Sequence, residues 1–95
     1  MLLSQTEENY LKAIYSLAYA NSNKVSTTLI SEELKTKASS VTDMIKKLAD
    51  KNLVHYKKYQ GVSLTEIGQK IAVEIVRKHR LWEVFLVNKL NYNWD

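Results

Sequence analysis

The sequence predicts a mainly α-helical domain carrying one small β-hairpin, on three observations. Apolar residues recur at helical spacing along most of the chain, the period changes to alternation only around residues 53–64, and turn chemistry is sparse. There is no proline, and the only glycines are Gly61 and Gly68. Ninety-five residues make a single small domain with one core. A hydrophobic fraction of 45% and a charged fraction of 25% are those of an ordinary folded protein, so disorder is not expected.

The first helix is expected from Thr6, as its cap, to about Ala20. Glu7 and Glu8 complement the positive end of the helix dipole, and Tyr10, Ala13, Ile14 and Leu17 form its apolar stripe. Asn21 to Lys24 read as a loop, and Val25 as one short extended contact. Ser26 caps a second helix, Thr27 to Lys35, with Leu29, Ile30 and Leu34 inward and Glu32 and Glu33 outward.

A short connection, Thr36-Lys37-Ala38, leads into the strongest helical signal in the chain, Ala38 to Asp50. Val41, Met44, Ile45 and Leu48 fall at i, i+3, i+4 and i+7 and share one face. The opposite side begins with Ser39, Ser40, Thr42 and Asp43 and continues with Lys46 and Lys47. Small hydroxyls followed by lysines suit a helix laid against base edges and phosphates, although a solvated surface helix has the same composition. Two helices joined this closely read as a helix-turn-helix, whose second helix is presented to DNA.

Leu53 to Tyr56 and Val62 to Leu64 are β-prone runs around a turn, Lys57-Lys58-Tyr59-Gln60-Gly61, where Gly61 takes a positive φ freely. The result is a hairpin tipped with Lys57, Lys58 and Tyr59, placed where a wing would touch phosphates. Thr65 then caps a long final helix. Ile67, Ile71, Ala72, Ile75 and Val76 continue a stripe, and beyond Leu81 the helix is apolar over much of its circumference. Trp82, Phe85 and Leu86 exceed what one small core can bury, which marks a partner surface, most simply for a second copy of the chain or for a domain that these residues lack. The expected fold is a winged helix-turn-helix (1–64) followed by a long C-terminal helix (65–95).

A net charge of +4 and a pI near 9.3 favour polyanionic partners mildly. The absence of cysteine excludes disulfides, thiolate metal sites and a cysteine nucleophile, and leaves the cytoplasm as the default compartment. No apolar run reaches bilayer length, and the first residues lack the pattern of a signal peptide. An enzyme is not expected: His55 and His79 are the only histidines, they lie in separate elements, and there is no phosphate-cradling glycine loop.

Four segments resemble the metal-dependent repressors of the diphtheria-toxin-repressor type, the iron and manganese regulators: Thr6-Glu7-Glu8-Asn9-Tyr10-Leu11, Val41 to Leu48, Tyr56 to Thr65, and Arg77-Lys78-His79-Arg80-Leu81-Trp82-Glu83. The resemblance covers nearly the whole chain. It implies double-stranded operator DNA as partner, a homodimer, and control by a divalent metal, manganese or iron, held between the first helix and the helix after the wing. It matches His79 and Glu83 to metal ligands, an i, i+4 pair that pattern alone would equally read as a surface ion pair.

Asn9 stands where the family has methionine or aspartate, and Lys12 where the manganese type has glutamate. Further ligands and most of the dimerisation region would lie beyond Asp95, so the resemblance implies a DNA-binding fragment or a shortened protein. It also places Lys37, Ser39, Ser40 and Asp43 at the DNA-facing start of the reading helix, with Thr27 at the start of the helix before it. Ser40 has a second reading as a helix cap, and Asp43 as a neutraliser of Lys46 or Lys47. Two other functions remain open on these residues, a metal-independent winged-helix regulator and a protein-interaction module.

Overall fold

The computed structural model describes residues 3–20 and 24–89, with side chains as far as position 79. Its elements run α1 (Gln5–Ala20), α2 (Thr27–Leu34), α3 (Ala38–Asp50), β1 (Val54–Lys57), β2 (Gly61–Leu64) and α4 (Glu66–Lys89). This is the mainly helical fold with a two-stranded hairpin that the periodicity predicts.

α1 starts two residues earlier than a Thr6 cap allows. Ser4 Oγ accepts from the Glu7 backbone N–H at 3.1 Å, and Glu7 Oε1 accepts from the Ser4 N–H at 2.9 Å. This reciprocal capping box satisfies two orphan donors of the first turn and leaves Thr6 exposed. Glu7 itself is buried, because its second oxygen accepts from Lys51 Nζ at the end of α3.

Ser26 caps α2 as expected, accepting from Leu29 N–H at 3.1 Å. The helix ends one residue short of Lys35, which swings to φ 52°, and Thr36 N–H closes back onto Ser31 O at 3.0 Å. A lysine in the left-handed region thus makes the reversal for which the sequence has no glycine or proline. α3 has the bounds its periodicity gives, with Val41, Ile45 and Leu48 fully buried.

The hairpin pairs Val54 with Leu64, His55 with Ser63, Tyr56 with Val62 and Lys57 with Gly61. β1 lies one residue later than expected: Leu53 is buried ahead of it, and its carbonyl accepts from Thr65 N–H at 3.1 Å. Val25 makes the short extended contact, exchanging backbone hydrogen bonds of 2.9 and 2.7 Å with Val62. At the tip Gln60 N–H reaches Lys57 O at 2.9 Å, and Tyr59 takes φ 69° in addition to Gly61 at 88°. The positive φ is therefore not confined to glycine.

Thr65 caps α4 through Oγ1, which accepts from Gly68 N–H and donates to Asn52 O, each at 2.9 Å. Gly68 is required by close approach, since a Cβ there would stand 1.9 Å from the Leu53 carbonyl oxygen. Ala72 and Ile75 are buried against α1, but Ile67 is half exposed and does not belong to the stripe. Its place in the first turn, beside the cap, turns it away from the core. The core itself joins every element: Leu11 and Ile14, Ile30, Ile45, Val54 and Val62, and Ala72.

Candidate nucleic-acid interface

The buried face of α3 fixes which face is left. Val41, Ile45 and Leu48 point into the core, so Lys37, Ser39, Ser40, Asp43, Lys46 and Lys47 are all exposed on the far side. Lys37 occupies the N-cap position with no side-chain cap, and Ser40 does not cap the helix. The first-turn N–H groups of α3 are open to an anion. Thr42 is half-buried, and its hydroxyl donates to Ala38 O at 3.1 Å, which leaves only its lone pairs for a ligand. Thr27 is half-buried at the start of α2.

Among the described residues no ion pair compensates the charge on this surface. The ion pairs among the described residues are Lys51 with Glu7, Lys70 with Glu66 and Arg77 with Glu74. Among the described residues, therefore, Asp43 forms no ion pair with Lys46 or Lys47, and Lys57 and Lys58 form none with any carboxylate. Tyr59 is 94% exposed, with the Lys58 ammonium 5.2 Å from its ring centre. The candidate surface is a hydroxyl-rich helix start, two lysines along the helix, and a basic, aromatic wing tip.

The expected metal residues lie on α1 and α4. Asn9 is half-buried on α1 and its Oδ1 accepts from Gln5 Nε2 at 3.1 Å, while Lys12 is half-buried one turn on. His79 is exposed on α4. The α4 backbone continues through positions 79 and 83, but the side chains of Glu83, Trp82, Phe85 and Leu86 lie outside the described ones. Among the described residues no three His, Cys, Asp or Glu side chains cluster as a metal site. The Asn9 amide oxygen already accepts one hydrogen bond and Lys12 brings an ammonium, so the described side chains of α1 and α4 alone do not make up a metal ligand set.

Two features escaped the sequence reading. One is the Glu7 to Lys51 link, which ties the first turn of α1 to the last turn of α3. The Lys51 ammonium first, then the Ser4 N–H, hold the Glu7 carboxyl down at about 2 from an ordinary 4.5, against the opposing effect of burial. The S-x-x-E spacing of Ser4 and Glu7 could have located the cap, but a contact 44 residues apart has no local signal. The other is the placing of Lys24 beside the hairpin, which follows from the paired backbone hydrogen bonds of Val25 with Val62. Burial also pushes the Tyr10 phenol up, with a Thr36 hydrogen bond acting the other way.

Helix-turn-helix, hairpin and long exit helix define the chain as a winged helix-turn-helix protein. Residues 2–62 match the family model of the iron dependent repressor N-terminal DNA binding domain, and residues 65–95 that of the iron dependent repressor metal binding and dimerisation domain. The chain belongs to the iron-dependent repressor family. A helix-turn-helix-type transcriptional regulator of Methanocaldococcus jannaschii is 40% identical over 88 residues, covering 93% of this chain and 70% of that protein. The transcriptional regulator MntR of Lysinibacillus sphaericus is 38% identical over 79 residues, 83% of this chain and 56% of the relative. The solved structure of the manganese regulator SloR superposes with a TM-score of 0.75 at 42% identity, over 96% of this chain and 42% of that one. The chain thus spans between about two fifths and seven tenths of the length of these relatives. No helix among the described residues is long and apolar enough to cross a membrane.

Proposed function

We propose that this chain supplies the DNA-reading domain (1–64) and the following helix (65–95) of a dimeric transcriptional repressor that answers to manganese or iron. α3 lies in the major groove. Ser39, Ser40 and Asp43 face base edges, where Asp43 accepts from a cytosine amino group. Thr27, Lys37, Thr42, Lys46 and Lys47 meet the backbone, and Lys57, Lys58 and Tyr59 hold the wing on the flanking phosphates. The observation that carries this reading is the unpaired basic and hydroxyl surface of α3 and the wing, opposite a face wholly committed to the core. Transcriptional regulators rather than enzymes make up the family to which it belongs.

Metal control and dimerisation rest on the family. His79, Glu83 and Asn9 are the ligand candidates in these residues, and Trp82, Phe85 and Leu86 the candidate dimer surface. The occupied Asn9 amide and the Lys12 ammonium favour a second reading, a metal-independent winged-helix regulator.

Titration of labelled duplex DNA with the full-length protein, with and without manganese or iron, tests both. Affinity is expected to fall steeply with salt and to rise with metal. A salt slope near zero refutes DNA binding; equal affinity in chelator refutes metal control alone. Replacing Lys57 and Lys58 weakens all sequences alike, whereas Ser39, Ser40 or Asp43 changes shift sequence preference.

A further inference from the structure

The C-terminal end of α3 is joined to both α1 and α4 within three consecutive residues, Lys51, Asn52 and Leu53. The helix closes in a Schellman turn: Leu53 N–H reaches Leu48 O at 3.0 Å, Asn52 N–H reaches Ala49 O at 2.9 Å, and Asn52 takes φ 62°. Asparagine is one of the few residues besides glycine that enter this region at low cost. Each residue of the turn then makes an outward bond. Lys51 Nζ donates to the buried Glu7 carboxylate on α1. Asn52 O accepts from Thr65 Oγ1 at 2.9 Å and Leu53 O from Thr65 N–H at 3.1 Å, so the residue that caps α4 is bonded twice to the end of α3. The same Oγ1 accepts from Gly68 N–H, which ties the first turn of α4 to the junction. At the other end of α3, Lys37 gives no side-chain cap.

We propose that Glu7 and Thr65 are positioning residues for sequence reading: through the turn Lys51 to Leu53 they fix the rotation and tilt of α3, and with these the base edges that Ser39, Ser40 and Asp43 meet. The apolar packing of Val41, Ile45 and Leu48 is strong but non-directional, whereas hydrogen bonds and a buried ion pair have defined geometry. A base-edge hydrogen bond closes only within about 2.7–3.2 Å, so a small turn of the helix carries a short serine or aspartate side chain out of reach. A lysine on its flexible stem follows a phosphate through the same displacement. Loosening the junction therefore costs discrimination between sequences and spares general affinity for DNA. Glu7 is 3% exposed and Thr65 7%, so neither offers a surface to DNA and any effect on reading passes through α3. The proposal rests on the DNA-binding reading and adds to it residues that touch no base or phosphate.

The test uses the full-length protein with manganese chloride and begins by letting the wild type select its preferred sequence from a pool of random duplexes of about three helical turns. Affinities for the selected duplex and for a scrambled duplex of the same composition are then titrated against salt, under conditions where urea unfolding shows each variant folded. In Thr65→Val and in Glu7→Gln the ratio of the two affinities is expected to fall about tenfold, the discrimination carried by roughly one base pair, with the salt slope on the scrambled duplex unchanged. Thr65→Ser keeps the hydroxyl and the wild-type ratio. Ile75→Ala, a buried α4 residue outside the junction, serves as the control for lost stability, which lowers both affinities alike and leaves the ratio as it was. The proposal stands only if both Thr65→Val and Glu7→Gln lower the ratio and Thr65→Ser does not. A wild-type ratio in the folded variants, or an equal loss of both affinities, overturns it, and the DNA-binding reading then stands on the wild-type selection and salt slope. A wild type that selects no sequence and shows a slope near zero removes that reading and the proposal with it.

Discussion

Replacing Glu7 with glutamine should separate what holds α1 to α3 from what merely caps α1. The amide keeps the side-chain shape and an oxygen able to accept from Ser4 N–H, but it removes the charge that faces Lys51. Glu7 is 3% exposed and its carboxyl is lowered from 4.5 to about 2, a shift of about 2.5 units, which corresponds to roughly 3 kcal/mol. A loss of about 2–3 kcal/mol in urea unfolding is expected, or a fall in Tm on the order of 10–20 °C for a domain of this size. Lys51→Met should cost at least as much as Glu7→Gln, because it leaves a carboxylate that is 3% exposed without its cation, whereas glutamine leaves no buried charge and the Lys51 ammonium, 31% exposed, can turn to water. The double variant should lose less than the sum of the two, since the second change removes a partner already missing.

The pH dependence carries the sharper signature. The folded carboxyl titrates below its ordinary value, so the stabilisation is complete above about 4.5 and drains away as pH falls towards about 2. The stability gap between wild type and Glu7→Gln should therefore be full at neutral pH and close across that acid window. A gap of the same size at both ends would refute the ion pair as its cause and leave only packing and capping.

Three further outcomes follow from backbone and burial. At position 59, where φ is 69°, glycine should be about 1 kcal/mol more stable than alanine in urea unfolding, the reverse of their usual order. Gly68→Ala should cost about 3 kcal/mol or fail to fold, because its Cβ would meet the Leu53 carbonyl oxygen at 1.9 Å; a loss under about 1 kcal/mol would mean that α4 does not approach so closely. Ile67→Gln should change stability by no more than about 0.5 kcal/mol, whereas Ile75→Ala should lose about 2 kcal/mol or more, the difference being one of burial, 50% exposed against 7%.

The elements were legible where one periodic signal dominated. α3 came out with its bounds because four apolar residues at i, i+3, i+4 and i+7 leave no competing register, and the hairpin because alternation replaces that period abruptly. Ends were less legible. Thr6 and Ser4 both precede an acidic run, and the choice between them depends on which glutamate folds back, a matter decided by Lys51 far along the chain. Ile67 fits the stripe in spacing but sits in the cap turn, where the helix has not yet met α1. For the candidate interface, Ser39 to Lys47 were readable as polar positions of a strong amphipathic helix. The place of Lys24 beside the wing was not, since only the pairing of Val25 with Val62 brings that lysine there.

The same long-range contacts bear on how the exposed face of α3 is held. α3 has no side-chain cap at its start, and its outer face is built from exposed residues. Its orientation is therefore set from behind, by Val41, Ile45 and Leu48 in the core and by Lys51 at its last turn. Packing fixes rotation about the helix axis, and the Glu7 link fixes the far end against α1. That link leads to the turn of α1 that also carries Asn9, so any group bound beside Asn9 would act on a segment already joined to the reading helix. Such a segment transmits a displacement only if the joint is stiff, and a buried, doubly hydrogen-bonded carboxylate is stiffer than an exposed pair such as Lys70 with Glu66. Loosening the joint with Glu7→Gln should then weaken DNA affinity even under conditions where the variant remains fully folded, whereas breaking Glu66 from Lys70 should leave it unchanged.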